Sequence, residues 1–123
     1  MSVRGIRGAI TVEANEREQI AGATLQMVNE VVAQNELDPA DICSVLITVT
    51  GDLDETFPAQ SIRQLPGWEL VPLMCAMEVP VKGSLEKCIR LMALVNTDKK
   101  QNEIRHVYLG GAEALRPDLS KSK

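Results

Sequence analysis

The chain has 123 residues, enough for one domain that buries a sizeable core without a disulfide or a metal. Hydrophobic residues make up 45% and charged residues 24%, an ordinary soluble globular balance. The formal net charge of −4 and the presence of only three aromatics, Phe57, Trp68 and Tyr108, exclude a basic nucleic-acid surface and a base-stacking platform.

In chain order, "VRGIRGAITVE" (3–13) predicts a first strand, with Ile6, Ile10 and Val12 on one face and Val3, Arg7, Ala9 and Thr11 on the other. Asn15 followed by Glu18 resembles a capping box. A helix then runs to about Asn35, burying Ile20, Thr24, Met27, Val28, Val31 and Val32. "LDPAD" (37–41) opens a short turn, capped by Asp38 with Pro39 at its first position. "SVLITVT" (44–50) is a β-branched second strand, and "GDLDET" (51–56) a loop. "FPAQSIRQLPG" (57–67) reads as a short helix started by Pro58 and stopped by Pro66 and Gly67. "WELVPLMCAMEV" (68–79) is extended but broken by Pro72, which belongs on an edge or irregular strand.

The run "KCIRLMALV" (87–95) has the composition of a strand buried on both faces. A polar loop (96–103), a last short strand "IRHVYL" (104–109) and a weak C-terminal helix and tail (110–123) complete the chain. The order predicts an α+β fold, a mixed sheet with helices on one face, in a single domain over 1–123.

Cys43, Cys75 and Cys88 are odd in number and form no CxxC pair. With no signal peptide before them, they read as free thiols of a cytoplasmic protein. His106 is the only histidine, so most metal sites and catalytic triads are disfavoured.

Arg90 is the sharpest chemical signal. An arginine stays charged, and burying a charge unpaired is costly. It therefore faces either a core carboxylate or an anionic ligand, and its planar fork suits a carboxylate. Arg7 repeats the oddity on the first strand, where a solvent-facing or paired arginine is the plainer reading. Arg63 and Arg116 add cations near element ends. Glu78 is either a surface glutamate beside a turn or a carboxylate that balances Arg90 and accepts a substrate hydroxyl. Cys75, three residues earlier, is most simply packing. Tyr108 is a core or interface aromatic whose hydroxyl can also donate to a carboxylate. The chain holds no GxSxG, no Gly-rich phosphate loop and no cluster of metal ligands. Such tools suit a reaction that needs holding and charge stabilisation, not acid–base or covalent work.

"VRGIRGAITVE", "FPAQSIRQL", "GWELVPLMCAMEVPV", "KCIRLMALVNTD" and "IRHVYL…LRPDL", in that order, resemble the small monofunctional chorismate mutases of the trimeric α/β-barrel type, as distinct from the all-helical type. The resemblance runs from Val3 to Leu119. It implies the rearrangement of chorismate to prephenate in phenylalanine and tyrosine biosynthesis, without a cofactor or a metal. It further implies a homotrimer whose sheets form a central pseudo-α/β-barrel, with active sites between subunits and no nucleic-acid or membrane partner. By motif, Arg90 would hold the ether oxygen and a carboxylate, and Glu78 the ring hydroxyl, helped by Cys75. Arg7 and Tyr108 would bind a carboxylate. Phe57, Ala59, Leu73 and Met74 would line the cleft, and Arg63, Leu115 and Arg116 would close it.

Gln60 and Met74 depart from the family's usual lysine and smaller polar residue. Gly110-Gly111 stand where better helix formers are usual, so the segment from Gly110 onward is expected to be loosely ordered without ligand. The competing reading is a trimeric module that binds a small carboxylate through an interfacial arginine, as in the imine deaminases. Glu78 argues against it, because a carboxylate binder needs no second carboxylate.

Overall fold

The computed structural model describes residues 1–115. Its strands are β1 (Ser2–Thr11), β2 (Ile42–Val49), β3 (Leu73–Met77), β4 (Cys88–Thr97) and β5 (Val107–Leu109). They form one sheet in the order β3-β2-β4-β1-β5. β4 runs antiparallel to both β1 and β2, while β3 lies parallel to β2 and β5 parallel to β1. The mixed α+β sheet read from the sequence is thus the observed architecture. β3 is an edge strand and begins directly after Pro72, whose carbonyl accepts from Val45 N–H at 2.9 Å.

Helix α1 (Arg17–Asn35) and the short helix α2 (Pro58–Ile62) pack on one face of the sheet. Ile6 and Ile10 from β1, Ile47 from β2 and Ile89, Leu91 and Val95 from β4 meet Ile20, Met27, Val28 and Val31 of α1 there. Gly8 allows the close approach: a Cβ at this position would stand 3.1–3.2 Å from Val31, Leu91 and Met27.

Four local expectations change. Asn15 does not cap α1. Glu16 occupies the N-cap position without a side-chain capping bond, and Gln19, not Glu18, reaches back to accept from Ala14 N–H at 3.0 Å. Asn15 is drawn instead to the 51–56 loop, where it donates to Asp54 Oδ1 at 2.7 Å and accepts from the Asp54 and Glu55 N–H groups. α2 ends at Ile62, ahead of Pro66, in a succession of turns that closes at Gly67. Val32 is only half-buried, and Asn35 takes a place in the core.

The fourth change concerns β4. It alternates instead of burying both faces: Ile89, Leu91, Ala93 and Val95 are covered, whereas Met92 and Leu94 are 39% and 40% exposed. The described residues supply only one layer of α-helices, so among them the second face of the sheet has no complete cover. Val3, Leu46 and Met74 are exposed on that same face. Among the described residues one end of it is covered, by a 3-10 turn at Gly110–Ala114 that lies opposite the α-helices and buries Ala112 against Ala9, Cys88 and Tyr108.

Candidate active site

The strand register builds the site. Thr48 on β2 and Ala9 on β1 both stand directly opposite Arg90 on β4, and Ala9 in turn pairs with Tyr108 on β5. Ala76 on β3 pairs with Thr48. A row therefore crosses the open face as Ala76, Thr48, Arg90, Ala9, Tyr108. The small Ala9 leaves space between the arginine and the tyrosine. The resulting cleft has a volume of about 310 Å³ and is lined by Arg7, Thr48, Arg90, Met92, Tyr108 and Leu115, among others.

Arg7 sits two residues before Ala9 on the same face, and its backbone N–H donates to His106 Nδ1 at 2.9 Å. The lone histidine thus belongs to the junction of β1 with the segment leading into β5. Tyr108 is buried, at 3% exposure, beside Ala9, Cys88 and Ala112.

Glu78 follows β3 immediately. Its N–H donates to Val49 C=O at 2.8 Å, which extends the β2–β3 pairing by one residue and turns the side chain over the sheet. One carboxylate oxygen accepts from Thr48 Oγ1, and the other stands 3.6 Å from Arg90 Nε. Arg90 Nε is itself buried and has no hydrogen-bond partner among the described residues. Arg90 is thus neither free in solvent nor fully paired. It has an ion-pair neighbour and a buried donor left unsatisfied at the floor of a cleft, an arrangement that favours an anionic guest.

Cys88, two residues before Arg90 on the same face of β4, is fully buried. Burial pushes its pKa up, and the neighbouring Arg90 guanidinium partly opposes that rise. Cys88 is therefore a neutral packing group and not a nucleophile. Among the described residues, no three His, Cys, Asp or Glu side chains come together as a metal-binding set.

The remaining expected residues occupy another place. A second cleft, of about 840 Å³, lies along β3 and α2 and is lined by Phe57, Gln60, Arg63, Cys75 and Met77, with Arg17 at its side. Phe57 is 73% exposed there. Cys75 pairs with Ile47 and so faces the helix side of the sheet, away from Arg90. Leu73 also points to the helix side and packs against the core. Met74 is on the open face opposite Leu46. Ala59 is 1% exposed and lies within the core, so its side chain lines neither cleft. Arg116 lies outside the described residues. One chain thus brings together Arg7, Glu78, Arg90, Tyr108 and Leu115, and holds Phe57, Arg63 and Cys75 apart from them.

Sequence reasoning missed Thr48. Inside "SVLITVT" a threonine is what β-propensity alone would select, and that reading hid its hydrogen bond to Glu78. The available signal was its even spacing from Leu46, which sets it on the open face.

The profile of chorismate mutase type I matches residues 3–119. The chain belongs to the type I chorismate mutases. It is 46% identical over 123 residues to the chorismate mutase AroH of Bacillus subtilis, across 100% of this chain and 97% of the relative. It is 48% identical over 122 residues to the chorismate mutase AroH of Thermus thermophilus, across 98% and 99% of the two chains. The solved structure of a chorismate mutase from Clostridium thermocellum superposes with a TM-score of 0.86 at 48% identity, covering 89% of this chain and 97% of that one. As a chorismate mutase the protein is an isomerase that forms prephenate in aromatic amino acid biosynthesis. No helix among the described residues is long and apolar enough to cross a membrane.

Proposed function

We propose that this chorismate mutase works by holding chorismate in its reactive conformer while Arg90 stabilises the ether oxygen. The observation that carries this reading is the buried, unsatisfied Nε of Arg90 at the floor of the cleft. The rearrangement is intramolecular: one C–O bond breaks as one C–C bond forms, the electron pairs move in a single ring, and no proton changes place. Negative charge gathers on the ether oxygen as its bond lengthens. A cation fixed on a central strand meets that charge without reorganising.

The magnitudes suffice. A modest enzyme needs about 8 kcal/mol of barrier reduction. Well-oriented intramolecular systems gain about 7–11 kcal/mol, and one pre-aimed donor adds about 3–4 kcal/mol. Orientation plus one guanidinium accounts for the catalysis without an acid or a base.

In this reading Glu78 accepts the ring hydroxyl, and Arg7 and Tyr108 hold a substrate carboxylate. Leu115 and Arg116, from the segment that begins at Gly110, close the cleft. A neighbouring copy supplies the second lining, with Phe57, Arg63, Met74 and Cys75. The uncovered apolar face around Val3, Leu46, Met92 and Leu94 is where copies would meet. Closed cyclic association of three chains turns these sheets into one barrel and each pair of half-sites into one complete site. The enzyme would act in the cytoplasm, where its substrate is drawn in as a small dianion.

The test is a pair of measurements on the purified protein: loss of chorismate ultraviolet absorbance and the mass by sedimentation. Turnover by a trimer is expected. Full activity in a monomer would overturn the shared site, and a folded trimer inert toward chorismate would overturn the catalytic reading.

A further inference from the structure

We infer that Thr48 is a positioning residue, its hydroxyl aiming the Glu78 carboxylate at the substrate and restraining it from closing on Arg90. The inference rests on the reading of Glu78 as a substrate contact.

Glu78 sits at the end of an edge strand, followed within two residues by Pro80. Its backbone is anchored through its N–H to Val49 C=O. Three rotatable bonds separate that anchor from the carboxylate. The nearest cation is Arg90, and a carboxylate left to itself beside a guanidinium turns to meet it with both oxygens. Such a pair would occupy the donors that the substrate needs.

Thr48 stands directly across the β2–β4 ladder from Arg90 and one residue before Val49, the anchor of Glu78. Its Oγ1 donates to Glu78 Oε2. That bond takes one carboxylate oxygen, and the other remains 3.6 Å from Arg90 Nε. The carboxylate is thereby shared between a neutral donor on β2 and a cation on β4. Both of its contacts, Thr48 and Arg90, belong to the row Ala76–Thr48–Arg90–Ala9. Thr48 is held in turn, because its β-branched side chain on a paired strand has few rotamers.

The role predicts a specific pattern. Thr48→Val keeps the shape and removes the hydroxyl, and kcat/KM is expected to fall about tenfold, the usual consequence of losing a hydrogen bond to a charged group. Thr48→Ser retains the donor and is expected to hold activity within about threefold of the parent. The decisive arm places Thr48→Val in a Glu78→Ala background, where a residue that acts through Glu78 has nothing left to aim. The extra loss is expected to vanish there. Thermal unfolding of each variant controls for folding, and Thr48→Ala replaces the valine variant in the same cycle should that one unfold. An equal loss in both backgrounds, or no loss with Thr48→Val while Glu78→Ala is impaired, would overturn the inference and leave the role of Glu78 intact. Full activity in Glu78→Ala would overturn both.

Discussion

Glu78 Oε1 stands 3.6 Å from Arg90 Nε, close enough to balance its charge and too far to satisfy its buried donor. The pair is therefore a poor structural salt bridge, and the proposed role of Arg90 as a receptor for the substrate uses the donor it leaves open. Arg90→Lys tests this. Lysine keeps the positive charge but presents a compact ammonium in place of a planar fork. The variant is expected to fold normally and to lose at least about a hundredfold in kcat, the scale set by removing one pre-aimed donor. Steady-state kinetics with chorismate decides it. A variant within about threefold of the parent would show that charge alone suffices and that the fork is irrelevant.

The rearrangement moves no proton, so its rate should be nearly independent of pH. The expected kcat/KM profile is flat from about pH 6 to 9, with neither limb of a bell. A steep limb inside that window would require a titrating acid or base in the reaction.

Asn35 closes the far end of α1 and bears on the site from a distance. It is 2% exposed; its Nδ2 donates to Val31 C=O and Arg105 C=O, and its Oδ1 accepts from Arg105 N–H at 2.9 Å. This staple sets the chain that leads through His106 into β5, and so places Tyr108. Asn35→Ala removes three hydrogen bonds, two of them to the Arg105 backbone, and an expected loss of about 2–3 kcal/mol in unfolding free energy follows. Urea denaturation measures it. A loss below about 0.5 kcal/mol would mean that the staple holds nothing the chain does not hold elsewhere.

Gly110 governs the segment that covers one end of the open face. Its φ is +59°, and a Cβ there would lie 2.9 Å from Thr11 Oγ1, the atom that accepts from Gly111 N–H at 2.8 Å. The glycine is therefore the turn into a 3-10 segment and not a weak point inside a helix. Gly110→Ala is expected to cost about 1–2 kcal/mol locally, to speed amide exchange over residues 110–115 and to raise KM. Unchanged exchange in the variant would show that the turn tolerates a side chain.

How much of this was legible in the sequence divides along physical lines. Alternation along β1 separated Ile6 and Ile10 from Arg7 and Ala9 correctly, because a period of two depends only on the strand itself. Arg90 was conspicuous because a charge in an apolar run demands a partner. Asn15 misled, since capping chemistry is local and the competing acceptor, Asp54, lies 39 positions away. β4 misled for a different reason: an apolar run reports that two faces avoid water, not that one chain covers both. The same gap separates Arg90 from Phe57, Arg63 and Cys75, which the motifs join and a single chain holds apart. Thr48 was invisible, because β-branching explained it before hydrogen bonding could.

Cys88 supplies a last measurable consequence, this one in stability. Burial raises its pKa in the folded protein, and the opposing pull of Arg90 does not cancel that rise. Below about pH 7 the thiol is neutral in both the folded and the unfolded chain, so it contributes no pH dependence there. Above that point the unfolded thiol ionises first while the folded one stays protonated. Proton release then favours unfolding, and stability declines with rising pH until the folded thiol also ionises. Cys88→Ala removes this linkage, so the variant is expected to lose less stability than the parent between about pH 8 and 10, even though its stability at pH 7 is lower. Parallel urea titrations across that range provide the comparison. Equal slopes for the two proteins would show that the buried thiol titrates as it does in the unfolded chain.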